Sequence, residues 1–141
     1  MLKAKELILK KGTIVGSTII SAPTSTKNTD KKRDPDAHST KKGNQWYFGY
    51  KTHIGVDKET GLVHTAKTTA ANIHDVAMTS HLLHGEKKDV YGGSGYLGAD
   101  KREDAILTNK NGKEIEYEIN LKPSQIKKLP IGRVWTAMCV N

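Results

Sequence analysis

The sequence predicts an α/β domain: a mixed sheet flanked by helices and incomplete at both ends. Three observations predict it. A β-branched run fills 13–20, a clean alternation at 47–56 continues through a turn into a second strand, and a capped amphipathic stretch at 72–83 precedes further short strands. At 141 residues there is room for one domain with a modest core, and not for two. No internal repeat is present.

Taken in order, residues 2–11 are a short helical candidate, with Leu2, Glu6 and Leu9 spaced by turns and Gly12 as the stop. It is too short to stand alone and reads as the tail of a longer helix, so 1–12 is set apart as the remnant of a preceding helical region. TIVGSTII (13–20) reads as a buried strand with one dissonant residue, Gly16, since glycine inside a strand weakens it. Residues 21–45 have no hydrophobic period and form a long basic loop, with Lys27, Lys31, Lys32, Arg33, Lys41 and Lys42 against Asp30, Asp34 and Asp36. In 47–56, Phe48, Tyr50, Thr52, Ile54 and Val56 face one side while Lys51 and His53 face the other. DKETG (57–61) turns the chain into a second strand at 62–69. A helix follows, N-capped by Asn72 and stopped by Gly85, with Ile73, Val76, Ala77, Ser80 and Leu83 along one face. A short strand at 89–91, a charged helix around 100–108 and a strand at 115–121 complete the domain, which spans 13–128; residues 129–141 are a divergent tail.

The chain carries a net charge of +8 and a pI near 9.5. Clustered Lys and Arg attract phosphate backbones and release their counterions, although charge without motifs serves solubility equally well. A single cysteine, Cys139, excludes an internal disulfide and a Cys-based zinc site. It fits a reducing, cytoplasmic setting. MLKAKELILKKG breaks its apolar residues with charges, unlike a signal peptide, and no stretch approaches the roughly twenty apolar residues of a membrane span.

Three motifs each have a blander reading. Gly93, Gly95 and Gly98 spell G-x-G-x-x-G, but the strand before them is short and follows Glu86-Lys87-Lys88, whereas a dinucleotide-binding strand is buried and apolar. His74, Asp75, His81 and His84 lie on or beside one helix without the H-E-x-x-H spacing of a zinc site, and Asp75 has a simpler role as a first-turn acid facing the helix dipole. KKGNQWYFGYKTHIG (41–55) interleaves basic and aromatic residues, as phosphate contact and base stacking require, or as a solvated loop beside core aromatics would.

Read together, GTIVGSTIISAPTSTKN (12–28), KKRDPDAHSTKKGNQWYFGYKTHIGVD (31–57), GLVHTAKTTAANIHD (61–75) and GSGYLG (93–98) with Lys101 and Arg102 resemble insertion-sequence transposases of the DDE class. The likeness covers about residues 12 to 128 in the expected order. It implies an RNase H-like fold, DNA cleavage and strand transfer in DNA transposition, Mg²⁺ or Mn²⁺ as cofactor, and DNA (element ends) as partner. A second copy or an active transposase is a further possible partner, and the setting implied is bacterial or archaeal cytoplasm, nucleoid-associated when DNA-bound.

The resemblance places one catalytic Asp on the first strand and a second at the end of the fourth. This sequence has Gly16 and Gly93 there. Divalent metals in such sites are held by carboxylate oxygens, and glycine offers no side chain. The third acid implied, a Glu on a later helix in a basic context, has no counterpart after Glu118, so a truncated and inactive copy is expected, a DNA-binding remnant or inhibitor being the alternative. Asp57, Asp75 and Asp100 are weak substitute metal ligands, with Asp57 in a hairpin turn and Asp75 at a helix start. Residual DNA contact is expected from Lys31, Lys32, Arg33, Lys41, Lys42, Trp46 and Lys51.

Overall fold

The computed structural model describes residues 12–83 and 87–129. Six strands form one mixed sheet. β1 (Gly12–Ser21) is its centre, pairing antiparallel with β3 (Gln45–Asp57) from Thr13↔Asp57 to Ser21↔Gly49. On its other side β1 runs parallel to β5 (Asp89–Gly92), and β6 (Glu116–Ile119) lies parallel beyond that. β3 is long enough to serve two partners: β2 (His38–Lys42) pairs with its first part and β4 (Val63–Ala70) with the remainder. The arrangement is consistent with the RNase H-like fold expected.

The two sheet faces differ sharply. On one face a 3₁₀ turn (Asp75–Met78) leads into α1 (Thr79–Leu82), which seats Leu82 against the sheet. Val15, Leu82, Leu83, Val90, Tyr96 and Ile115 form the core here, with Ile106, Tyr117 and Ile119 packed against it. On the opposite face Ile14 and Ile20 of β1 are 43% and 50% exposed, and Val63 of β4 is 49% exposed. Register carries this apolar stripe across the strands through Ile14↔Val56↔Val63 and Gly16↔Ile54↔Ala66. At the far end of the β1–β3 pairing only glycine fits: Gly49 has φ +155°, and a Cβ there would run into the Ile20 carbonyl oxygen.

Several local expectations change. The loop at 21–45 contains a strand, since His38–Lys42 pairs with Gln45–Gly49 across a turn at Gly43 (φ +62°). The helix expected from Asn72 is reduced to the 3₁₀ turn and α1; His74 occupies the cap position, and Asn72 makes no cap. Burial keeps Leu83 of the expected face but adds Thr79 and Leu82, leaving Ile73 exposed and Val76 half-buried, because the segment is too short for a full amphipathic stripe. The charged helix at 100–108 shrinks to a 3₁₀ turn at Ala99–Lys101, entered through Gly98 at φ +83°. A short α2 (Pro123–Ile126) follows β6. The helical reading of 2–11, His84, Gly85 as a helix stop, and the tail from 130 with Cys139 lie outside the described residues.

Candidate functional site

Gly16 and Gly93 come together at the centre of the sheet. β1 and β5 are parallel and in register at Val15↔Gly92, so the next residue of each chain is one of the two glycines. A Cβ on Gly92 would meet Val15 Cγ2 at 3.1 Å and Tyr96 Cβ at 3.2 Å, on the core side. Alternation therefore sends the following position, Gly93, to the open side that Gly16 shares. Neither position needs glycine. A Cβ on Gly16 would find only Ile54 Cγ1, at 3.9 Å, and a Cβ on Gly93 would have no neighbour within 4 Å. Gly93 has φ −71° and ψ 175°, extended backbone open to any residue.

These are the positions where the resemblance places metal-holding carboxylates, Gly16 midway along β1 and Gly93 just past the carboxyl end of the parallel β5. The residues present do not fit a divalent metal: two glycines supply space and no donor oxygen. Among the described residues no group of three or more His, Cys, Asp or Glu side chains could hold a metal ion.

The three substitute carboxylates are elsewhere. Asp57 is 1% exposed, and its Oδ1 accepts from Lys87 Nζ at 2.9 Å in an ion pair whose cation is also fully buried. Its Oδ2 accepts from Thr60 N and Thr60 Oγ1 at 3.1 and 2.9 Å. Burial pushes the Asp57 pKa up, but the Lys87 and Thr60 hydrogen bonds outweigh it and hold the carboxyl at about 2. Asp75 lies on the closed face, beneath the turn after Gly93: its Oδ2 is 3.1 Å from where a Gly95 Cβ would be. Asp100 stands exposed in the 3₁₀ turn after Gly98.

Asp75 anchors a buried polar cluster. Lys51 Nζ lies 3.0 Å from Asp75 Oδ1 and donates to the Ile73 carbonyl at 2.9 Å. The ammonium's approach to Oδ1 makes an ion pair without a directed hydrogen bond, so that oxygen is left without one. His53, fully buried, shares a hydrogen bond between Nε2 and Thr69 Oγ1 at 2.9 Å; its Nδ1 is 4.0 Å from Asp75 Oδ1. Burial lowers the His53 pKa, opposed by Asp75 and assisted by Lys51. Tyr96 completes the group, its pKa pushed up to about 12 by burial and then by Asp75. The cluster ties β3, the 3₁₀ turn and the Gly93–Tyr96 turn together behind the two glycines. The alternation read in β3 is real, and it is the side of Lys51, His53 and Asp57 that is buried.

Lys51 is thereby removed from the basic surface. Lys31, Lys32, Arg33, Lys41, Lys42 and Trp46 remain exposed, on the loop and hairpin preceding it. The loop is organised by its own side chains. Asn28 Nδ2 donates to the Lys32 carbonyl at 2.7 Å while Asn28 Oδ1 accepts from Lys32 N at 3.1 Å, with Lys31 in the left-handed region at φ 50°. Arg33 Nε donates to the Thr24 carbonyl at 2.8 Å, and Tyr50 OH donates to Asp34 Oδ2.

Lys87 was invisible from sequence. It sits in Glu86-Lys87-Lys88, which reads as a solvated charge run, and its acceptor is 30 residues away. Tyr96 was equally unmarked, and His53 was read only as one side of the β3 alternation, because no local pattern announces a cluster assembled from three separate segments.

Residues 9–128 match the protein family described as Transposase DDE domain. No solved structure matches the chain.

Proposed function

The chain belongs to the transposase DDE-domain family, and from that premise we propose that this copy is a cleavage-incompetent DDE domain that keeps a DNA-facing surface. Members of the family act on DNA and use divalent metals, which would activate a water or 3′-hydroxyl and stabilise the leaving oxygen. One observation carries the proposal: two neighbouring positions, one within β1 and one just past the end of β5, have room for side chains and hold glycine. Donor oxygens cannot be supplied from Asp57, committed to Lys87, or from Asp75, on the opposite face. Binding rests on the exposed Lys31, Lys32, Arg33, Lys41 and Lys42, whose contacts to phosphate would be sequence-independent and steeply salt-dependent. Such a domain would compete with active transposase for element ends.

The test is Mn²⁺-dependent nicking of supercoiled plasmid by the chain and by a Gly16→Asp/Gly93→Asp variant, alongside duplex binding across a salt series. The expected result is no nicking by the chain above a metal-free control, and duplex affinity that falls with salt at a log–log slope of about −0.9 per phosphate contact. Nicking by the chain itself would overturn incompetence. Affinity flat in salt would overturn the binding surface.

A further inference from the structure

β2 and β3 carry more than charge. Trp46 is 68% exposed, more than any other large hydrophobic side chain among the described residues, although an indole gains from burial. It is paired across the hairpin with Lys41, whose Nζ sits 6.0 Å from the ring centroid, at the outer limit of a cation–π contact. Two residues along, on the same side of β3, Phe48 is capped by the Arg33 guanidinium at 5.6 Å, and two further on Tyr50 is held by Asp34. Of three aromatic rings in line, two have partners from the loop and the outermost is left largely open to solvent.

We propose that Trp46 is a stacking platform for an unpaired base, with Lys41, Lys42 and Arg33 taking the flanking phosphates. The inference rests on the DNA-binding reading above and specifies its ligand: single-stranded or frayed DNA rather than intact duplex. A paired base inside a duplex is stacked on both faces by its neighbours, so it is an unpaired base that offers a face to the one open ring, and any base has a face an indole can take. Pre-organisation favours it too. The Asn28 clip, the Arg33–Thr24 bond and the Tyr50–Asp34 bond hold the cationic loop beside the rings before any ligand arrives, which lowers the ordering cost of binding. Trp46 also shares its side of β3 with Ile54, the neighbour of Gly16, eight residues or roughly 26 Å further along an extended strand.

The test measures fluorescence anisotropy of the full chain with three labelled DNAs of one sequence: a single strand, a blunt duplex and a duplex with an unpaired end. Trp46→Ala is expected to weaken the single strand and the frayed end by about 5- to 150-fold, the range for one stacked base, and the blunt duplex by less than about twofold. Trp46→Phe should recover part of that loss, since a smaller ring still stacks. Lys41→Gln/Lys42→Gln should weaken all three DNAs. An unchanged thermal melt of Trp46→Ala confirms that the effect is local, as exposure implies; Trp46→Phe carries the comparison if the alanine variant melts early. Equal loss on all three DNAs, or none, overturns the stacking platform while salt-dependent duplex binding survives. Absence of binding to every DNA overturns the DNA-binding reading and the platform with it.

Discussion

The closed and open faces of the sheet are made by the same strands, yet they obey different rules. On the closed face β1 contributes Thr13 and Val15, β3 contributes Lys51, His53, Gly55 and Asp57, and all six are buried. On the open face β1 contributes Ile14, Gly16 and Ile20, β3 contributes Ile54 and Val56, and these residues are exposed or half-buried. The more polar face of β3 is thus the buried one. A buried charge is tolerated there because each has a partner: Lys87 for Asp57, and Asp75 with the Ile73 carbonyl for Lys51. The open face is apolar and exposed around Gly16, and on the function proposed above it is where glycine stands in place of carboxylates.

The difference between the faces is tested most severely by removing one partner of a buried pair. Lys87→Ala leaves the buried Asp57 carboxylate without its counter-charge, with only the Thr60 hydrogen bonds to hold it, and should cost about 3–5 kcal/mol, read by chemical denaturation. Acid probes the same pair. Because the folded Asp57 pKa, about 2, is below its ordinary 3.8, its contribution is in place above about pH 4 and is lost as pH falls towards 2.

Glycine substitutions separate the two faces at smaller cost. Gly55 and Gly16 sit on neighbouring strands, facing opposite sides. A Cβ on Gly55 would meet His64 Cε1 at 2.8 Å and the Leu82 carbonyl oxygen at 2.9 Å, so Gly55→Ala should destabilise by about 1–3 kcal/mol. A Cβ on Gly16 meets only Ile54 Cγ1 at 3.9 Å, so Gly16→Ala should stabilise by about 0.5–1 kcal/mol as strand entropy is recovered. Melting temperatures that move the same way in both variants would erase the distinction between the faces.

The smallest effect is a pH dependence. His53 is buried with its pKa below the ordinary 6.5, so the unfolded chain binds its proton first and stability declines as pH falls below about 6.5. His53→Gln should flatten that part of the stability–pH curve, read from thermal melts taken on either side of the ordinary histidine pKa. An unchanged slope would show that His53 titrates alike in both states.

Strand positions were legible because β-branched residues and period-two alternation are local signals. Thr13–Ile20, the β3–β4 hairpin, Asp89–Tyr91 and the stretch around Glu116–Ile119 all emerge close to where the sequence places them. Helices were read too long. Asn72 and Gly85 bracket a plausible helix, but only Thr79–Leu82 is wound as α-helix, because contact with the sheet rather than capping selects the turn that is kept. His38–Lys42 was missed, since an edge strand of HSTKK has no apolar alternation and is specified by its partner in β3. Of the candidate site, Gly16 was conspicuous as a glycine in a β-branched run, and Gly93 stood out only through family resemblance.

Local sequence thus specified every strand but β2, the family and the two glycine positions, because each is encoded in neighbouring residues or in an ordered series of motifs. Packing in three dimensions settled which face is buried, which lysines reach solvent and which carboxylates are already committed. Those outcomes depend on partners brought from distant segments: Lys87 reaches Asp57 across 30 residues, and Asp75 meets Lys51 and the turn at Gly95 only once three elements have packed. Pairing of charges across the fold is set by where the backbone puts them, and a one-dimensional pattern contains no term for that distance.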